Sequence, residues 1–450
     1  MNDSVFTHTQ EQLQQFADDV LRHAKTLGAS DAAVEISEGG GLSVSVRRGR
    51  VETIEQNQDK GAGVTVYVGQ RRGNASTSDF STEALQATVE AAYNIARFTS
   101  EDKCAGLPEA DMLERHPLDL QLCHPWLLST VDAIDIALRC EAAAFAVDKR
   151  IANSEGANVY AQQNHFVAAN TRGFAGGYPY SRHSISVAPI AGKGAQMQRD
   201  YWYSSSRNPA KLAQPEAIGR YAAERALSRL NARRISTRKC AVLFEAPLAI
   251  GLLGAFVNAI SGGALYRKTS FLLDSLGQQI FPKHIRLAED PHIIGAVGSA
   301  PFDDEGVKTT KRDVVANGMV QGYFLSSYSA RQLGMKTTGN AGGAHNLSFT
   351  SSLTKKGDNF EKMLKKLGTG LLVTDLMGQG VNYVTGDYSR GASGFWVENG
   401  VIQYPVEEIT IAGNLKDMYR QIVAVGADTL TRGTIKMGSI LIENMTIAGS

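Results

Sequence analysis

The places where this chain could do chemistry are nine histidines, four cysteines and a few polar clusters framed by glycine. A zinc centre on a helix needs histidines three or four residues apart, sometimes five, with a third ligand delivered from elsewhere. None of the nine meets that spacing. The closest pairs, His116 with His124 and His284 with His292, lie eight apart across proline-containing segments, which predicts surface or loop roles. Cys123 beside His124 is one adjacent pair, and adjacent side chains rarely chelate one ion alone. A serine nucleophile needs a strained elbow such as GxSxG. Gly391-Ala392-Ser393-Gly394 lacks that spacing, so a tight turn is expected there. Asp303, Asp304 and Glu305 precede Gly306, but three consecutive carboxylates do not converge on a cation unaided, and a solvated turn is expected. Glu407 and Glu408 alternate faces on an expected strand and cannot act as a facing pair.

Two stretches, 337–346 (TTGNAGGAHN) and 385–400 (TGDYSRGASGFWVENG), read as loops with more polar character than a turn requires. They supply the candidate substrate-binding residues His345, Asp387, Tyr388, Ser389 and Arg390. Exposed backbone amides with one guanidinium could hold an extended peptide or its carboxylate. The competing reading is a bend in a sheet with Asp387 and Arg390 paired structurally.

The elements that must position these residues are organised around residues 246–266, APLAIGLLGAFVNAISGGALY, which carry no charge. Pro247 suits a helix start, bulky side chains recur on most sides, and Gly262-Gly263 stands where a helix stops. A buried central helix is expected. Gly251, Gly254, Asn258 and Ser261 dilute its apolar character, which argues against a membrane span. Toward the N-terminus, Leu13, Phe16, Ala17, Val20, Leu21, Ala24 and Leu27 recur at helical spacing before Gly28. Over 33–77 the period becomes two, punctuated by Gly39 to Gly41, Gly49, Gly61 and Gly73, which predicts strands joined by tight turns. Ser81 opens a second helix and Ser129 with Asp132 a third, running to about Asp148. Strands are expected over 158–170, 181–189 and 196–204, then a helix over 215–230. Asn317-Gly318 and Asn399-Gly400 sit between apolar runs as type I′ hairpin turns do. The fold class is α+β: an N-terminal helix and antiparallel-sheet domain at 1–125, a middle strand-and-helix region at 126–235, and a large antiparallel β-rich domain at 236–450 around the buried helix.

Composition narrows function further. A chain of 450 residues exceeds one hydrophobic core, and 46 basic against 45 acidic residues give a net charge of +1, so no field recruits nucleic acid or an anionic membrane. The first thirty residues hold no apolar run of signal-peptide type, so a cytoplasmic protein is expected. Cys104, Cys123, Cys140 and Cys240 lack CxxC spacing, which fits unpaired thiols.

Residues 377–418, MGQGVNYVTGDYSRGASGFWVENGVIQYPVEEITIAGNLKDM, closely resemble the PmbA (TldE) branch of the TldD/PmbA family; SGGALYRKTSFLLDSLG and SSYSARQLGMKTTGNAGGAHN add to the likeness, which spans essentially the whole chain. The resemblance implies a bacterial cytosolic heterodimeric zinc peptidase in which the TldD-type subunit carries HExxxH on a helix and a cysteine ligand near its C-terminus. A gapless match puts Gly254 and Ala259 where the two histidines stand and Ala255 where the general-base glutamate stands, and no cysteine follows Cys240. What is implied is a subunit without catalytic or metal-binding residues or cofactor of its own. Zinc is expected in the TldD-like metalloprotease partner, peptides are the substrates, and a homodimer is expected when the partner is absent. Family members are associated with trimming leader peptides and degrading antitoxin proteins, and carry an older label, modulator of DNA gyrase. The alternative is a stand-alone peptide- or protein-binding regulator. An independent metallopeptidase is disfavoured, because a catalytic zinc needs three protein ligands.

Overall fold

The computed structural model describes residues 6–449. Residues 1–5, part of the stretch read for an export signal, lie outside them. The fold is α+β, and the chain divides into two compact units: residues 1–227 with 292–309, and residues 228–291 with 310–450.

In the first unit, helix α1 (Gln10–Thr26) starts at a capping box between Thr9 and Gln12 and ends before Gly28, whose φ of +90° suits glycine. Strands β1 (Asp31–Arg47), β2 (Arg50–Val68) and β3 (Arg71–Thr77) form a meander. Helix α2 (Thr82–Phe98) is capped by Ser81, and helix α3 (Thr130–Phe145) by Ser129, whose Oγ accepts from the Asp132 amide. β1 then pairs antiparallel with β4 (Ile151–Asn170), which pairs with Pro179–Ala191. Val34 and Ile36 pack with α1 and α2, while Val44 and Val46 pack with α3 and Pro215–Ser228. These residues share one parity, so the helices cover one face of the sheet.

Gly39, Gly41 and Gly61 are not turns, as their spacing suggested, but lie inside two unusually long strands. A Cβ on Gly41 would stand 2.4 Å from the Ala161 carbonyl oxygen, so close approach by the backbone of β4 requires glycine there, while one on Gly39 would meet the Asn164 side chain, 2.0 Å away at Oδ1. The turn expected at 303–305 is present with Asp304 exposed, but it is not solvated throughout. Asp303 is buried, and its Oδ1 accepts from the amides of Glu305 and Val307, so the carboxylate closes the turn from inside.

In the second unit, the single large antiparallel sheet read from the sequence resolves into two six-stranded sheets, each with one parallel pairing. Asn346–Ser351 runs parallel to Ile435–Met437, and Gly370–Met377 parallel to Arg238–Phe244. Both NG turns have positive φ at Asn and Gly, as a type I′ turn demands. Residues 385–400 are mostly not a loop: Asp387–Glu398 is a strand, and only its two ends turn, at Thr385-Gly386 and at Asn399-Gly400.

The central helix, Ala246–Ala259, buries Ala249, Leu252, Phe256 and Ala259 in the largest core of this unit. Phe256 meets Phe281 and Tyr419 edge to face, with ring centres 4.9 and 5.9 Å apart, and the buried Tyr419 hydroxyl donates to the Leu252 carbonyl at 2.9 Å. The helix stops three residues before the glycine pair. Ser261 Oγ takes the Asn258 carbonyl at 2.8 Å, and Gly262 and Gly263 open a second short helix, Gly262–Tyr266. Among the described residues no helix is long and apolar enough to cross a membrane. All four cysteines are free, and burial pushes the Cys140 thiol up to about 12, with Glu216 and Glu141 adding to the rise.

Candidate functional site

Above the central helix lies a cavity of about 560 Å³. One wall is the helix itself, through Gly254, Asn258 and, just past its end, Ser261. These positions follow helical spacing, with Gly251 one turn earlier, and so form one face. On an otherwise apolar helix this small polar stripe was the sequence signal of the cavity, although it first read only as dilution of a membrane span. Tyr266 closes one end, Ser326, Tyr328 and Ser329 another, and residues 340–344 form the facing wall.

That glycine-rich wall is fixed from behind by a buried carboxylate. Glu289 Oε1 accepts from Asn340 Nδ2 and from the His345 amide, both at 2.8 Å, and Oε2 accepts from Arg312 Nε at 2.7 Å. Arg312 also donates to Asn340 Oδ1 at 3.0 Å and stacks over Phe324, and Asn340 Nδ2 reaches the Gly343 carbonyl. An acid with three donors and a paired cation satisfies its burial. The loop is therefore held, and its glycines bring backbone to the cavity rather than side chains.

The sequence-predicted residues fall elsewhere. His345 is buried, and its Nε2 donates to the Gly339 carbonyl at 2.9 Å, so it braces the loop. Asp387 is exposed and accepts from Thr385 Oγ1 at 2.7 Å and Asn414 Nδ2 at 3.2 Å, bonds that hold its carboxyl below the usual range. Tyr388 is buried, which pushes its phenol up to about 12 against the pull of neighbouring Arg390. Ser389 is exposed, and its amide donates to Gly380. Strand alternation puts Asp387 and Ser389 on one face and Tyr388 and Arg390 on the other. None of the five is among the residues lining the cavity. Sequence reasoning missed those that do line it, chiefly Asn258, Tyr266, Ser326 and Tyr328.

The three positions matched to the zinc motif divide in the same way. Gly254 faces the cavity, and a Cβ placed on it meets nothing within 4 Å, whereas Ala255 and Ala259 are 3% and 0% exposed and face the core. Positions five apart on a helix point about 140° away from each other. The cavity lining contains no His, Cys, Asp or Glu, and among the described residues no three such side chains are grouped to hold a metal ion. The donor set does not fit a zinc centre. What the cavity offers is hydroxyls, the Asn258 amide and glycine backbone in neutral surroundings. That suits binding of uncharged backbone, without a general acid or base.

His116 is exposed in a loop, as expected, whereas two other histidines are engaged. His284, read as a surface or loop residue, is half-buried: its Nε2 donates to the Ile422 carbonyl, Nδ1 accepts from Ser351, and burial lowers its pKa. His183 is buried with Nε2 on the His124 carbonyl.

Three family models match the chain: PmbA/TldA metallopeptidase domain 1 at residues 32–96, the central domain at 123–230 and the C-terminal domain at 237–449. The chain is 50% identical over 423 residues to the metalloprotease PmbA of Escherichia coli O157:H7, covering 94% of this chain and 93% of that one. It is 46% identical to the PmbA homolog of Haemophilus influenzae, covering 100% and 99%. Among solved structures, a protein described as a modulator of DNA gyrase from Bacteroides thetaiotaomicron superposes with a TM-score of 0.92 at 26% identity, covering 98% of this chain and 100% of that one. TldE from Thermococcus kodakarensis shares the fold, with a TM-score of 0.82 at 20% identity over 96% of this chain and 100% of that one.

Proposed function

Since this chain belongs to the PmbA/TldD metallopeptidase family, we propose that it is the subunit without zinc in a cytosolic metalloprotease of the TldD/TldE type, acting on unfolded or extended peptides. The observation that carries this reading is the cavity over the central helix. Of the three positions that a gapless match sets against the family motif only Gly254 opens onto it, and its lining, Asn258 and glycine-rich backbone included, offers no His, Cys, Asp or Glu. In this reading the chain's own residues bind and exclude. The held wall at 340–344 and the hydroxyls of Ser326 and Tyr328 receive peptide backbone, while the folded unit around them admits extended chain and refuses folded substrates. Zinc and the chemistry it supplies belong to a TldD-like partner, and trimming of leader peptides or degradation of antitoxins is the corresponding physiological work.

The test is metal content and peptidase activity on an unfolded peptide, for the chain alone and mixed with a purified TldD-type subunit. Zinc and turnover only in the mixture support the proposal. Stoichiometric zinc and turnover by the chain alone overturn it, and peptide binding with no turnover in either sample points to a stand-alone regulator. Asp387 and Arg390 enter as candidates on the same footing: replacing either reduces turnover by the pair while the pair stays assembled. Dissociation of the pair instead makes them structural.

A further inference from the structure

Arg267 follows Tyr266, the residue that closes one end of the cavity, and its guanidinium rests against two residues of the lining. Nη1 donates to the Tyr266 hydroxyl oxygen at 3.2 Å, and the guanidinium lies 5.3 Å from the centre of the Tyr266 ring. A Cβ on Gly263 would stand 3.1 Å from Nη2 and 3.7 Å from Cζ. Gly263 has no left-handed φ, so what its missing side chain provides is the space that the guanidinium fills. Tyr266 is itself held edge to face by Tyr328, with ring centres 5.7 Å apart.

This seated cation has donors to spare. Arg267 is exposed, and among the described residues it forms no ion pair. A guanidinium carries five N–H donors, of which one goes to Tyr266. The Tyr266 oxygen accepts that bond, so its own O–H remains to donate. A guanidinium already placed by a ring and a glycine loses less entropy on binding than a freely turning surface arginine. Arg312 differs: it too covers a ring of the lining, Phe324, at 5.1 Å, but it is neutralised by Glu289. With no Asp or Glu in the lining and a cation already on two of its rings, the cavity repels a basic side chain. We propose that Arg267 and the Tyr266 hydroxyl form a carboxylate subsite at this end of the cavity, so that a peptide lying in the cavity is held more tightly when it places a carboxylate there. The planar fork of Arg267 meets both carboxylate oxygens, which a lysine cannot do. The carboxylate comes from the peptide's C-terminus or from an Asp or Glu side chain. The inference rests on the reading of this cavity as the receiver of extended peptide, and it names the peptides that are preferred.

The test is binding rather than turnover, on the full chain alone. N-acetylated peptides of about eight uncharged residues, carrying an uncharged dye, are titrated by fluorescence anisotropy in four forms: C-terminal amide, free C-terminal carboxylate, amide with one central Glu, and amide with one central Lys. A carboxylate form should bind about tenfold tighter than the plain amide, and the Lys form no tighter than it. Which carboxylate form gains identifies the source. The gain should vanish in Arg267→Gln, shrink in Arg267→Lys and survive in Lys268→Gln, where an exposed cation next in the chain is removed. Melting curves check that each variant is folded. Equal binding of all four forms overturns the proposal and leaves the peptide reading standing. A gain that survives Arg267→Gln, or that survives when Gly254→Leu fills the cavity, overturns it by placing the contact elsewhere. Loss of the gain in Lys268→Gln as complete as in Arg267→Gln overturns it by assigning the gain to surface charge at large. Absence of binding by every form overturns this proposal and the peptide reading together.

Discussion

Two glycines near the cavity, eight residues apart, should respond to alanine with opposite signs. Gly254 lies inside the helix Ala246–Ala259 with no left-handed φ, and a Cβ there meets nothing within 4 Å. Alanine removes the entropic cost of glycine in a helix, so Gly254→Ala should stabilise the second unit by about 0.5–1 kcal/mol. For a unit of this size that is a rise in Tm of roughly 1–4 °C. Gly262 is the reverse case. Its Cβ would stand 2.2 Å from Ser329 Oγ, 2.5 Å from Ser329 Cβ and 3.0 Å from Leu325 Cδ2. Ser329 cannot simply turn away, because it forms a capping box with Ser326 at the start of the helix Ser327–Gln332. Overpacking of this kind costs about 1–3 kcal/mol, so Gly262→Ala should lower Tm. Urea unfolding followed by tyrosine and tryptophan fluorescence, with a thermal scan beside it, measures both. Shifts in the same direction would refute the argument, since they would mean that the cavity is not open above Gly254 or that Ser329 is not seated against Gly262. The same geometry gives a functional corollary. Gly254→Leu fills the cavity without a core clash, so peptide turnover by the assembled pair should fall while Tm does not.

Further outcomes follow from the buried polar groups. Glu289→Ala removes the buried acceptor of Asn340, the His345 amide and the half-buried Arg312 and should cost about 2–4 kcal/mol in urea unfolding, with faster hydrogen exchange at 340–344; a cost below about 1 kcal/mol would contradict the brace. Tyr419→Phe removes the hydroxyl's bond to the Leu252 carbonyl, which keeps its helical amide partner, and should cost about 0.5–1.5 kcal/mol, measured in the same way. Burial tends to raise the pKa of Glu38, but hydrogen bonds from the Thr7 and His8 amides and side chains outweigh it and hold the carboxyl at about 2. A depressed carboxylate stabilises fully above its unfolded value near 4.5 and loses that contribution, on the order of 3 kcal/mol, as pH falls through 2. The first unit should therefore lose stability between those pH values, and Glu38→Gln should flatten that limb of the profile.

Much of the local structure was legible because it depends on neighbours in the chain. Ser81 and Ser129 each begin a helix with a side-chain oxygen that accepts from an amide three residues on, and the two NG pairs turn hairpins because only such residues accept positive φ in succession. The apolar, uncharged run 246–266 had to be buried, and its bulky core face is, while Gly251 and Asn258 are exposed. That no histidines stand at ligand spacing was also a property of the sequence alone, whereas it is the fold that brings His8 and His165, far apart in the chain, to the same Glu38 carboxylate.

What only tertiary structure decided depends on contacts between residues distant in sequence. Glycines 39 and 41 look like turn formers, and they sit within strands because β4, more than a hundred residues later, packs its backbone and amides against their Cα atoms. Residues 387–390 look like a polar loop, yet partners on both sides extend them into a strand and send their side chains to opposite faces. The cavity wall is set by Glu289 and Arg312, which carry no mark in the sequence of the loop they hold. Helical spacing fixes which residues share a face, so Gly254, Asn258 and Ser261 were bound to lie together. Which face meets a cavity and which meets core is settled by what packs against it, and that is why Gly254 opens onto space while Ala255, its neighbour in the chain, does not.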